Sequence, residues 1–187
     1  MVAAILLNVW LGRDTTFSPD ELDFFSSTPH LGVQAALEPY NGHLILIPRL
    51  VYSALLHLSG PDYLYFRLVD IGAILLTAGL FFAFARRRVG ALAALPLTLP
   101  LLFFGSDYLH VITGAGFTIL FTQAAGIGAL LALDRDDTKG DILACALLTI
   151  SLATYSEGLP FVVGLYPATV PLVVGQLCLC SHVCGPP

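Results

Sequence analysis

YLYFRLVDIGAILLTAGLFFAFARRR, residues 63–88, is a long apolar run interrupted by charge only at Arg67 and Asp70, and it closes on three consecutive arginines. A membrane-crossing helix needs about 20 largely apolar residues, and Lys and Arg collect in the connections on the cytoplasmic side. The stretch therefore predicts a span over 63–85 with Arg86, Arg87 and Arg88 in the cytoplasm. The remainder of the chain agrees with that class. Hydrophobic residues make up 57% of its 187 residues and charged residues 11%, against about 25% charged in a soluble domain, and the mean hydropathy is +0.84.

Residues 111–133 supply a second full-length span. Residues 89–105, with Pro96 and Pro100, and residues 142–156 are shorter and need a tilt or a thinned bilayer to cross; residues 159–180 offer a further span. Residues 1–11 reach only about half way across a bilayer and lack the basic start and cleavage site of a signal peptide, so they read as the end of a first span. The expected fold is all-α: a multi-pass transmembrane helical bundle over 1–175, followed by an atypical tail at 176–187. Both ends read as incomplete, which makes the chain a fragment of a longer protein.

A formal net charge of −5 discourages nucleic acid as a partner. The placement of the positive charges says more. Five of the eight Lys and Arg lie at Arg86-Arg87-Arg88 and in the run 134–141 with Arg135 and Lys139, and both connections belong in the cytoplasm. The spans 89–105 and 111–133 separate them, which leaves the acidic loop 12–62 outside the cell membrane. Residues 44–58 (LILIPRLVYSALLHL) would reverse that side if they crossed. As a helix they put Arg49, Ser53 and His57 on one narrow polar stripe, the pattern of an interfacial helix on the outer leaflet; a short tilted span with a snorkelling Arg49 is the alternative.

Within the spans, Arg67 and Asp70 lie one helical turn apart on one side. Ionisable residues at membrane depth face a bundle interior or a wet cavity, so the pair is either a structural ion pair or part of a site. Thr118, Thr122 and Gly126 recur every four residues, a small-residue stripe that lets helices approach closely. Cys145 reads as a small core residue. Cys178, Cys180, His182 and Cys184 alternate in the tail, whereas a zinc knuckle spaces its cysteines by two to four residues and adds a second pair; no metal site is expected there.

The loop carries the candidate chemistry. Ser18-Pro19-Asp20-Glu21-Leu22-Asp23 places three carboxylates within four residues, and Glu38-Pro39-Tyr40-Asn41-Gly42-His43 gathers a carboxylate, an amide and an imidazole before the interfacial helix. Carboxylates at a membrane surface act as general bases toward a hydroxyl or bind a divalent cation; equally, Ser18 or Asp20 caps a following helix and the rest is solvated.

The run from Asp20 to about Gly90 resembles the N-terminal part of the C-type (GT-C) integral-membrane glycosyltransferases, especially the protein-mannosyltransferase and lipid-A aminoarabinose-transferase-like group. The features that carry the resemblance are Asp20-Glu21 with Phe24, Gly42-His43-Leu44 leading into an amphipathic helix, Gly60 closing that helix, Arg67 opening the next span, and Arg86-Arg87-Arg88-Val89-Gly90 after it. More narrowly, Glu38 to Ile45 with Arg49-Leu50-Val51-Tyr52 is similar to a group of actinobacterial multi-pass membrane proteins distantly related to those enzymes. The family's usual His-Pro-Pro reads Asn41-Gly42-His43-Leu44 here.

The resemblance implies transfer of a sugar from a polyprenyl-phosphate donor in the membrane to a hydroxyl of an envelope glycan, lipid or protein. Asp20 and Glu21 would be catalytic, and Asp23, Glu38, His43, Arg49 and Arg67 would bind substrate. No cofactor is firmly implied beyond a divalent cation that Glu21 could share. Asp107, His110 and Glu157 fall on the same side. The competing expectation is a non-catalytic membrane protein, a transporter fragment or a scaffold, although neither an inverted repeat nor a midplane charge cluster is visible.

Overall fold

A computed structural model describes residues 2–11, 13, 16–17, 19, 21–22, 32–103 and 116–165. The fold is all-α. Its helices are α1 (Val2–Leu11), α2 (Val33–Leu37), α3 (Leu46–Ser59), α4 (Tyr63–Val89), α5 (Ala91–Leu102), α6 (Phe117–Leu133), α7 (Thr138–Thr154) and α8 (Ser156–Leu165), the last opening as the 3-10 turn Ser156–Gly158. No strand occurs among the described residues; a single antiparallel bridge joins Tyr40 to His43.

Local chemistry shifts several boundaries from those expected. α4 continues past residue 85 and takes all three arginines into its last turn, where positive charge suits the negative end of the helix dipole. Gly90, at φ 84, then separates α4 from α5, a conformation that costs glycine nothing. α5 is shorter than 89–105, and it runs through both prolines although the missing N–H groups leave the Leu92 and Pro96 carbonyls without intrahelical donors. α7 starts before residue 142 because Asp137 caps it, accepting from the Gly140 N–H at 2.6 Å. That bond, with Arg135 beside it, holds the Asp137 carboxyl below its ordinary value. The first residues of the expected span 111–133, the rest of 159–180 and the tail 176–187 lie outside the described residues.

Among the described residues one helix, α4, is both long and apolar enough to cross a membrane. Its 27 residues extend about 40 Å at 1.5 Å per residue, more than the roughly 30 Å of a hydrocarbon core. α4 packs on α5 and α6, and α6 packs in turn on α7. At one end, Arg88 pairs with Asp134 at 2.8 Å, bringing the arginine triplet beside the turn between α6 and α7. At the other end, α7 finishes at Tyr155, whose ring lies 4.3 Å from that of His43. α3 sits at this His43 end. Its Tyr52 packs on Phe66 and Phe117, in the first turns of α4 and α6, so the middle of α3 meets the ends of two longer helices.

The interior combines apolar residues such as Ile74, Phe66 and Ala78 with small polar ones, while large apolar side chains also lie on the outside. Thr122, Ser151, Thr154 and Asp70 are fully buried, whereas Leu92 is 88% and Leu6 65% exposed. Thr77 Oγ1 lies 2.8 Å from the Leu120 carbonyl across α4 and α6, and Ser151 donates to the Thr122 carbonyl at 3.0 Å across α6 and α7. Thr118, Thr122 and Gly126 face inward together, which is where a small-residue stripe is needed for close helix approach. Cys145 does not join the core as expected: it is exposed. The buried face of α7 is Gly140, Ala144, Leu148 and Ser151, and one residue on from Ala144 is about 100° around the helix.

Gly126 provides the sharpest packing test. A Cβ there would collide with the Phe161 ring, and overpacking of this kind costs about 1–3 kcal/mol. Thermal unfolding of Gly126→Ala is expected to show a loss of that size, with a smaller one for Gly128→Ala, where the nearest atom is a Leu147 methyl at 3.3 Å. Equal midpoints for wild type and Gly126→Ala would show that α8 does not press on α6 in this way.

Candidate functional site

The His43 end holds a buried polar cluster assembled from four separate segments. Arg67 and Asp70, three residues apart on α4, share one helix face, and Arg67 Nη1 donates to Asp70 Oδ2 at 2.8 Å with side chains 6% and 0% exposed. Arg67 Nη2 donates to the Asn8 carbonyl of α1 at 3.3 Å. Asn8 itself is buried and donates Nδ2 to the Ala4 carbonyl at 2.9 Å. Glu21, from the loop, is completely buried and accepts a bond from the Tyr52 hydroxyl of α3 at 3.2 Å.

Aromatic rings wall the cluster. Phe17 stands edge-on to Tyr63 and Phe66, with centroids 4.9 and 5.4 Å apart, and Tyr52 lies 5.0 Å from Phe66. Such contacts exclude water, which raises the cost of any polar group left without a partner. Burial, and after it the charge of Glu21 with weaker contributions from Tyr63 and Asp70, pushes the Tyr52 hydroxyl far above its ordinary pKa. Among the described residues, two acceptors in the cluster, Asp70 Oδ1 and Asn8 Oδ1, find no hydrogen-bond partner.

His43 belongs to a second locus. Asn41 and Gly42 have φ of 49° and 80°, the consecutive positive values of a two-residue type I′ turn. The turn is closed by Tyr40 N–H to the His43 carbonyl at 2.9 Å and His43 N–H to the Tyr40 carbonyl at 2.8 Å. It carries the His43 ring to Ser156, with Nδ1 2.8 Å from Oγ, and ties the loop to the α7–α8 junction. Glu157, next in sequence and exposed, lines a cavity of about 600 Å³ bordered by Thr77, Phe84, Pro100, Gln123 and Phe161. That cavity is mainly apolar and follows α4 toward its arginine end.

Of the expected site residues, Glu21 and Arg67 come into one cluster and His43 with Glu157 into another. Arg49 points inward rather than along a polar stripe open to water. It is buried, donating to the Ala35 and Glu38 carbonyls, the latter at 2.5 Å, and so binds α2 to α3; Ser53 is half-buried and His57 exposed. Glu38 supplies its carbonyl to this contact and is itself exposed. Asp20, Asp23, Asp107 and His110 lie outside the described residues, as do Cys178, Cys180, His182 and Cys184. Asn8, Tyr52 and Ser156 were not anticipated. Asn8 had a visible signal, being the one polar side chain in residues 2–11; Tyr52, placed one turn after Arg49, had none that distinguishes it from an interfacial aromatic. Among the described residues no three His, Cys, Asp or Glu side chains converge to hold a metal ion. No protein-family model matches the chain, and no curated protein or solved structure was found similar to it.

Arg67→Leu strands Asp70 in the interior, and breaking a buried pair in this way costs about 3–5 kcal/mol. Arg67→Leu combined with Asp70→Leu is expected to recover most of that loss in unfolding experiments; a double variant no more stable than the single one would remove the ion pair as the cause. Tyr52 tests the electrostatics separately. Because its folded-state pKa is raised, its contribution to stability is intact below its ordinary value of 10.0 and is lost as pH rises beyond it. Tyr52→Phe should therefore be less stable than wild type at neutral pH, and the gap should narrow in alkaline solution. A gap independent of pH would argue against a buried hydroxyl at this position.

Proposed function

We propose that the chain is a multi-pass membrane protein of GT-C glycosyltransferase type, in which the His43 end faces outward and transfers a sugar from a polyprenyl-phosphate donor to an acceptor hydroxyl. The many large apolar side chains on the outside support the membrane part. Exposed leucines outside a core in which Ala, Thr and Ser lie between the helices and an ion pair is buried are what helix packing in lipid selects, and α4 has the length to cross. Arg88 beside Asp134 supports a common cytoplasmic location for the two basic connections.

The observation that carries the transfer reading is the convergence of loop residue Glu21 with α4 residues Arg67 and Asp70 at one end of an apolar bundle. A loop that docks its carboxylate inside the bundle is organised for more than solvation. In the proposed reaction Asp20 takes the proton of the acceptor hydroxyl. The oxygen attacks the anomeric carbon with inversion, and the bond to the lipid phosphate breaks. Glu21, the next residue in sequence, is held by Tyr52. Arg67, 5% exposed, contributes its field to the departing phosphate instead of a direct contact. The apolar cavity lined by Glu157 offers room for the donor's hydrocarbon chain, and His43 bonds to Ser156, the residue before Glu157.

One observation favours a second, non-catalytic reading as a scaffold. Arg49 is spent on backbone carbonyls and Arg67 on Asp70 and Asn8, a pattern that serves to lock loop to bundle. The two readings separate in membranes expressing the chain and supplied with a labelled polyprenyl-phosphate sugar. Under the transfer reading Asp20→Asn lowers the rate by about 10²–10⁴, the usual contribution of a general base, while protein levels stay unchanged. Undiminished transfer by Asp20→Asn would defeat the assignment of the base, and absence of transfer by wild type with every donor offered would leave the scaffold.

A further inference from the structure

A separate groove of about 490 Å³ lies between α4, α6 and α7, lined on its length by apolar side chains such as Leu80, Phe121, Leu147 and Ile150. The charged residues in its lining are Arg87 and Arg135. Both sit at the arginine end, both are about half exposed, and among the described residues no carboxylate lines the groove with them. An apolar trough with guanidinium groups at one mouth matches an amphiphile with an anionic head. An uncharged lipid would fill the trough and leave the guanidiniums unmatched; a soluble anion would do the reverse. We propose that this groove holds one acyl chain of an anionic phospholipid from the leaflet at the arginine end, with Arg87 and Arg135 binding its phosphate.

The present partners of these arginines do not oppose it. Arg87 is 3.4 Å from Asp134, and Arg135 is 3.4 Å from Asp137. Asp134 keeps Arg88 at 2.8 Å when Arg87 turns away, and Asp137 keeps the Gly140 N–H at 2.6 Å when Arg135 does. Exposed pairs of this kind contribute little, whereas guanidinium and phosphate match in geometry and charge. Arg86 and Lys139, exposed on the same end, add to the attraction of an anionic surface. The trough is narrow where Gly128 forms its floor: a Cβ there would come within 3.3 Å of Leu147 and 4.0 Å of Leu80.

The inference rests on the membrane part of the proposed function and not on the transfer reaction. Native mass spectrometry of the detergent-extracted full chain, offered phosphatidylglycerol, phosphatidylcholine or glycerol phosphate, tests it. Phosphatidylglycerol is expected to be retained about tenfold better than phosphatidylcholine, on the scale of two basic contacts to an anionic lipid, with no retention of glycerol phosphate. Arg87→Gln with Arg135→Gln should abolish the preference, Arg88→Gln should preserve it, and Gly128→Leu should reduce retention of phosphatidylglycerol with both arginines present. Equal retention of the two lipids by wild type overturns the proposal without recourse to any variant. So do a preference that survives loss of both arginines, retention of glycerol phosphate comparable with that of the lipid, and a lipid-free dimer in which a second copy fills the groove. Recovery of the chain in the soluble fraction without detergent would overturn the membrane reading itself; membrane recovery without lipid preference overturns only the groove.

Discussion

The Arg67–Asp70 contact sets the terms for the whole His43 end. Removing two charges from water costs several kcal/mol for each ion unless geometry and further hydrogen bonds offset it. The neighbouring segments are arranged around that requirement. α1 approaches closely enough to place the Asn8 carbonyl on Arg67, and Phe17 packs edge-on against Tyr63 and Phe66 at the same end. Glu21 adds a second carboxylate to the same interior, and Tyr52 answers it with a hydroxyl that burial keeps protonated. A loop and three helices are thus held together by polar bonds at one end of the bundle.

The opposite end is built on a different principle. There Arg87 and Arg135 remain near water and meet carboxylates at 3.4 Å in exposed pairs, which are worth little individually and leave the charges available, while Arg88 holds Asp134 at 2.8 Å. The contrast divides the labour of the molecule: charges buried and committed at one end, exposed and exchangeable at the other. α4 joins the two because it is long enough to carry Arg67 and Asp70 in its first turns and Arg86 to Arg88 in its last.

The pairs that were legible in advance are local ones. Arg67 and Asp70 lie three residues apart, and helical periodicity alone brings such residues together. The arginine triplet marks a helix end for a similar reason, and the small side chains of Thr118, Thr122 and Gly126 announce an inward face. Arg49 was harder. Periodicity aligned it with Ser53 and His57 correctly, but the direction of that face depended on α2, whose carbonyls capture the guanidinium. Cys145 failed for a related reason: one step around α7 separates the buried face from the exposed one, and apolar residues occupy both.

The sequence by itself determined the all-α class, since apolar runs of helix length such as residues 63–85 read as helices. It also determined where each helix gathers charge. Only the tertiary structure decided what those charges meet. The bonds from Arg67 to Asn8, from Tyr52 to Glu21 and from His43 to Ser156 span 59, 31 and 113 residues, and no periodicity reaches that far. Such contacts follow from which helix ends the bundle brings together, because a polar atom shut away from water must find its partner there.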